Sequence, residues 1–131
     1  MTARQMTVAG WVLTGLFALF MLGASITPKL LGMDAATQTL AGLGWQPGSA
    51  LMIGGFELAF LLLYLFPRTS VLGAVLMTAL IGGAMATHIR VGSPLFSHTL
   101  FGIYLSLFMW GGLWLRLPAL RALFPFTAKG A

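Results

Sequence analysis

Cysteine is absent from all 131 residues, which removes disulfides, thiolate metal sites, iron–sulfur ligation and any CxxC relay. Charge is scarce as well: 7% of the residues carry one, against about 25% in an average soluble domain, too few to cover a soluble surface. The two acids, Asp34 and Glu57, lie in different surroundings and cannot form a paired-carboxylate site. Seven Lys and Arg residues give a net charge of +5, yet they never form a run. A nucleic-acid partner is excluded on that ground. No Ser/His/Asp set, glycine-rich dinucleotide loop or P-loop is present. The chain thus has no self-contained catalytic constellation, and whether it is an enzyme stays open.

What remains is apolar. Hydrophobic residues make up 59% of the chain and the mean hydropathy is +0.97. Length allows a single domain over residues 1–131. Its first apolar stretch, residues 8–27, is long enough to cross a hydrocarbon core of roughly 30 Å and too long for a signal peptide. Pro28 is expected to stop that helix. Further spans are expected over 48–66, 70–88 and 97–115. Spans of this length without alternation argue against a β-barrel. The expected fold class is all-α, a transmembrane four-helix bundle in contact with the lipid bilayer.

Orientation follows from the basic residues. Arg4, Arg68, Arg116, Arg121 and Lys129 fall on one side, Lys29 and Arg90 on the other. The positive-inside rule puts the first group, and both termini, in the cytoplasm. Trp11, Tyr64, Trp110 and Trp114 read as aromatic anchors at that interface and Trp45 as one at the outer interface. The connection over 28–47 is either a plain loop, the commoner case, or an interfacial lid. In the second reading Asp34 caps a helix over 35–43 that turns Leu40 and Leu43 to the membrane and Thr37 and Gln38 to water.

Small residues mark close helix contacts in lipid. Ala74, Thr78, Gly82 and Ala86, spaced by four, predict a packing face on the third span, and Ala79, Gly83 and Thr87 form a row beside it. A short repeat at an offset of 60 pairs Gly23-Ala24-x-x-Thr27 and Gly32 with Gly83-Ala84-x-x-Thr87 and Gly92.

Polar groups within the spans are the functional candidates. Glu57 sits about 14 Å into the second span by helical rise. A charge there costs at least about 2.5 kcal/mol, so the carboxyl must be neutral, paired or beside a hydrated hollow. It is either a structural group bonded to Thr78 or Ser106, or a proton-handling or ligand-binding carboxyl. Lys29, His88, Arg90 and His98 belong to the same outer half. Together with Glu57 they could receive an anionic or quinone-like head group. Lys29 is more simply read as snorkelling to lipid head groups, whereas His88 and Arg90 lean toward function. The spacing of His88 and His98 matches no metal or haem signature, so no metal is expected.

The run Glu57-Leu-Ala-Phe-Leu-Leu-Leu-Tyr-Leu-Phe-Pro67-Arg68-Thr69, then Leu72-Gly73-Ala74, Gly82-Gly83-Ala84-x-Ala86-Thr87-His88-x-Arg90 and Pro94-Leu95-Phe96, resembles the DoxX-like family of small four-helix membrane proteins. Pro28-Lys29-Leu30 and Trp110-x-x-Leu113-x-Leu115-Arg116 extend the likeness to roughly residues 10–125. By motif position, Glu57, Arg68, His88 and Arg90 match the family's characteristic polar positions, to which no catalytic role is attached. The resemblance implies association with membrane oxidoreductase assemblies, among them thiosulfate:quinone oxidoreduction and oxidative-stress defence. Without cysteine, redox work here would run through a bound quinone or a partner subunit. The leading expectation is an accessory redox subunit of the bacterial cytoplasmic membrane that binds a quinone or a similar lipophile. The alternatives are a scaffold or assembly factor, which could form homo-oligomers, and a small transporter or proton path.

Overall fold

In the computed structural model, residues 1–130 are described, and among them all regular structure is helical. Helix α1 spans Ala3–Leu30, α2 Asp34–Gly42, α3 Ser49–Leu65, α4 Ser70–Val91, α5 Leu95–Arg116 and α6 Pro118–Arg121. Three of these are long and apolar enough to cross a membrane: α1, α4 together with its leading turn from Pro67, and α5. Helix α3 is apolar but shorter, at 17 residues, or about 26 Å by helical rise. Large apolar side chains such as Leu19, Leu51, Leu62, Leu107 and Phe96 are exposed around the outside, a surface suited to acyl chains and not to water.

The helix ends follow local chemistry. Thr2 and Gln5 exchange side-chain and backbone bonds in a capping box that opens α1. Phe66 is forced extended by Pro67 and ends α3, and Leu117 before Pro118 does the same for α5. Gly92, at φ 71°, closes α4 in the left-handed conformation that lets the Ser93 N–H return to the His88 carbonyl. Gly32, its counterpart in the repeat, also has a positive φ.

Pro28 does not stop α1. A π-helical turn over Met21–Ile26 bonds the Thr27 N–H to the Leu22 carbonyl, five residues back. This resets the ladder so that Pro28 falls in the opening turn of the last segment, Thr27–Leu30, where its missing N–H is harmless. Helix α2 does form in the connection, but Asp34 is its first residue and Met33 occupies the cap position without a side-chain bond. Asp34 acts there through its charge at the positive end of the helix dipole. Thr37 and Gln38 are exposed as expected, whereas Leu40 is buried, turned into the protein and away from lipid.

Helix α1 packs along α5, α5 against α4, α4 against α3, and α3 against the last third of α1. Phe17, Leu61, Tyr64, Met77, Met109 and Leu113 form the core between them. Tyr64, expected as an interfacial anchor, is fully buried: its hydroxyl donates to the Met109 carbonyl at 2.6 Å and lies 3.1 Å from Thr14 Oγ1. Glycines set the closest approaches. A Cβ at Gly73 would lie 2.2 Å from the Tyr64 nitrogen, and one at Gly112 would lie 2.6 Å from Thr14 Oγ1. Of the row expected to pack on α4, Ala74 is fully buried and Thr78 meets the neighbouring helix through a side-chain bond. Thr78 accepts a bond from Trp110 Nε1 at 2.8 Å, and Gly82 and Ala86 are exposed. The tight contact runs one residue off the expected row, through Gly73.

Candidate ligand-binding cavity

Glu57 is 7% exposed and points at α1, where Lys29 and Ser25 meet it. Lys29 Nζ lies 3.0 Å from Glu57 Oε1 and donates at 2.6 Å to Ser25 Oγ. Ser25 Oγ in turn donates to Glu57 Oε2 at 2.8 Å. Three polar groups thereby satisfy one another in a closed triangle, which is how a charge survives in an apolar interior. Lys29 turns inward and does not snorkel. Thr78 and Ser106, the partners expected for Glu57, do not bond it: Thr78 donates to the Ala74 carbonyl instead.

The backbone explains this placement. Ser25 and Lys29 are four residues apart, hence on one face of α1. The π-helical turn includes Ser25 and sets its face toward α3. Gly54, one turn before Glu57, lets that face approach, since a Cβ there would lie 2.9 Å from Lys29 Cβ.

Beside the triangle lies a cavity of about 540 Å³, within the range of roughly 300–1,000 Å³ usual for small-molecule sites. All five longer helices contribute to its wall, which is mostly apolar. Leu40 and Leu43 of α2 and its flank line one side of it, facing the protein and not lipid. Gly83 and Ala84 of α4 leave space where larger side chains would fill it.

His88 and His98 reach the same cavity from the end of α4 and the start of α5. Their rings stand edge to face with centroids 5.8 Å apart. His88 Nδ1 pairs with Ser93 Oγ at 2.8 Å and His98 Nδ1 with Ser97 Oγ at 2.7 Å. His98 also lies in a π-helical turn, Leu95–Thr99, so each side of the cavity is shaped by one such turn, a feature common at functional sites. Arg90 is exposed and does not line the cavity. The structure therefore brings together Lys29, Glu57, His88 and His98 around one hollow and leaves Arg90 outside. Among the described residues no group of three or more metal-binding side chains gathers.

Ser25 is the residue that sequence reasoning missed, although its spacing of four from Lys29 was a usable signal. A second missed cluster lies at the other end of the molecule. Arg116 Nε donates to Thr14 Oγ1 at 3.1 Å, and its guanidinium stacks 4.1 Å from the Trp11 ring centroid. Gly10 and Thr14, spaced by four like the α4 row, marked that contact in the sequence.

Helices long and apolar enough to cross a membrane, packed around a half-open, sparsely polar cavity, define a membrane protein with a candidate binding site among its helices. The model of the DoxX-like family matches residues 12–112, most of the chain, and the protein belongs to that family. No curated protein and no solved structure matches it.

Proposed function

We propose that the chain is a four-helix bundle of the bacterial cytoplasmic membrane, with α3 as its second span and both termini in the cytoplasm. In this reading it serves as an accessory subunit of a redox system and holds a quinone or similar lipophilic molecule in the cavity, alongside partner oxidoreductase subunits. The observation that carries the reading is the cavity itself: about 540 Å³ of mostly apolar space whose charged and titratable lining groups are the Lys29–Glu57 pair, bonded to Ser25, and the two histidines. That donor set fits a quinone, whose ring is apolar and whose carbonyls accept hydrogen bonds. A bound quinone would supply the electron-carrying chemistry. The chain's own residues hold and orient it, and α2 keeps water from it.

The test is titration of decylubiquinone into the purified protein in nanodiscs, with Gly83→Leu as the blocked form. Gly83 lines the cavity and a Cβ there meets nothing within 4 Å, so leucine can fill space without disturbing the fold. Saturable binding by the wild type, lost in Gly83→Leu, supports the reading; partition equal to empty nanodiscs in both rejects it. One observation favours a second reading. The ion pair joins α1 to α3, so it could act only as a pin in a non-enzymatic scaffold. Glu57→Gln would then lower thermal stability and complex assembly with no ligand to detect.

A further inference from the structure

We infer that the Lys29–Glu57 pair is the charge filter of this cavity, set to admit uncharged lipophiles and to refuse anionic ones such as fatty acids. The inference rests on the ligand-binding reading above and narrows it to one class. Among the described residues, Lys29 is the one Lys or Arg that lines the cavity, and Glu57 is the one acid. Their charges cancel within a 3.0 Å contact, and Ser25 bonds to both. An entering carboxylate would find the ammonium already engaged and a like charge beside it, an arrangement that discriminates by repulsion and not by added attraction. An uncharged head group meets no such penalty. It can bond to the imidazoles, whose Nε2 atoms make no bond among the described residues while Nδ1 is held by Ser93 and Ser97. Arg90, the other basic residue of this end, lies outside the lining and adds no anion-attracting charge to the wall.

The filter has a direction, and reversing it is the test. Glu57→Gln keeps the size and a hydrogen-bonding oxygen for Ser25 but leaves the Lys29 ammonium without a counter-charge in a low-dielectric wall. That ammonium then becomes a receptor for carboxylate. The probes are palmitate and hexadecanol, which share a tail and differ in head-group charge, and decylubiquinone as reporter of the cavity. Binding is measured in nanodiscs of uncharged lipid, with empty discs subtracted.

Wild-type protein should bind hexadecanol and decylubiquinone, with palmitate weaker than hexadecanol by about tenfold or more, the scale of one uncompensated charge contact. Glu57→Gln should gain palmitate affinity by a similar factor, and Lys29→Met/Glu57→Gln should lose that gain. Palmitate binding as tightly as hexadecanol in the wild type overturns the filter while leaving the cavity reading in place, and this comparison holds even where a variant fails to fold. A folded Glu57→Gln with no gain for palmitate also overturns it. Absence of binding by both decylubiquinone and hexadecanol removes the cavity reading, and the filter with it.

Discussion

The half of the molecule around Tyr64 and the half around Glu57 draw on the same residue types and put them to opposite uses. Around Tyr64, glycines are pressed against backbone. Gly10 and Gly112 bring α1 and α5 together, and Gly73 brings α4 onto α3. Around Glu57 the close contacts are with side chains, Gly54 against Lys29 and Gly102 against Met85 and Ile81, while Gly23, Gly55, Gly82 and Gly83 meet nothing within 4 Å. The polar groups divide in the same way. Thr14, Tyr64 and Arg116 form a packed network capped by Trp11, whereas Lys29, Glu57 and Ser25 stand beside a hollow. In lipid there is no water to expel, so a small residue stabilises only where another surface comes to meet it. Where none does, the same residue adds no contact, and at Gly83 it leaves room in the cavity wall.

The sharpest way to break this contrast is to put one methyl group on each side of it. Gly73→Ala places Cβ 2.2 Å from the Tyr64 nitrogen and 2.6 Å from its Cα, atoms that cannot move without shifting a helix. We expect a loss of about 3 kcal/mol or more, or failure to fold, at the upper end of what overpacking costs. Gly83→Ala, ten residues later on the same helix, should stay within about 0.5 kcal/mol of the wild type. Thermal unfolding in detergent micelles measures both. Equal losses at the two sites would mean that the glycines near Glu57 are packing residues after all.

The next largest effect is expected from the ion pair. Lys29→Met leaves Glu57 buried with only Ser25 as a partner, and removing one member of a buried pair costs about 3 kcal/mol where the remaining charge cannot escape. Adding Glu57→Gln removes the stranded charge, so the double variant should be more stable than Lys29→Met alone. A double-mutant cycle by thermal unfolding checks this. Additive losses would show that the two side chains do not depend on each other.

Much of this arrangement was legible in advance, for reasons that differ from residue to residue. The helices declare themselves through long apolar runs, and Glu57 through being the one acid inside such a run. Histidines at the end of one helix and the start of the next must lie at similar depth, so His88 and His98 were readable as neighbours. Arg90 shows where reading failed. Two positions on a helix point to different faces, and α4 continues in helical form to Val91 without fraying, so His88 and Arg90 cannot both face the cavity. The inward turn of Lys29 was hidden because a lysine near a helix end snorkels by default. The π-helical turn that redirects Ser25 and accommodates Pro28 leaves no mark in hydropathy, and which glycines meet backbone depends on the partner helix. Those were not to be had from one chain's pattern.

The smallest expected effect decides whether the two halves are mechanically separate. Tyr64→Phe removes the hydroxyl that donates to the Met109 carbonyl and contacts Thr14 Oγ1. Packing is retained, since the ring and its edge-on contact with Phe17 at 5.6 Å remain. Hydrogen bonds between membrane helices are modest, so the loss should be about 1 kcal/mol in thermal unfolding. Decylubiquinone affinity should not change, because Tyr64 lies outside the cavity wall and the close glycine contacts that fix the helices around it are intact. A changed affinity in Tyr64→Phe would mean that the packed half sets the dimensions of the hollow through α3, the helix that carries both Tyr64 and Glu57. The pair of regions would then be a single device whose tight end tunes its open end.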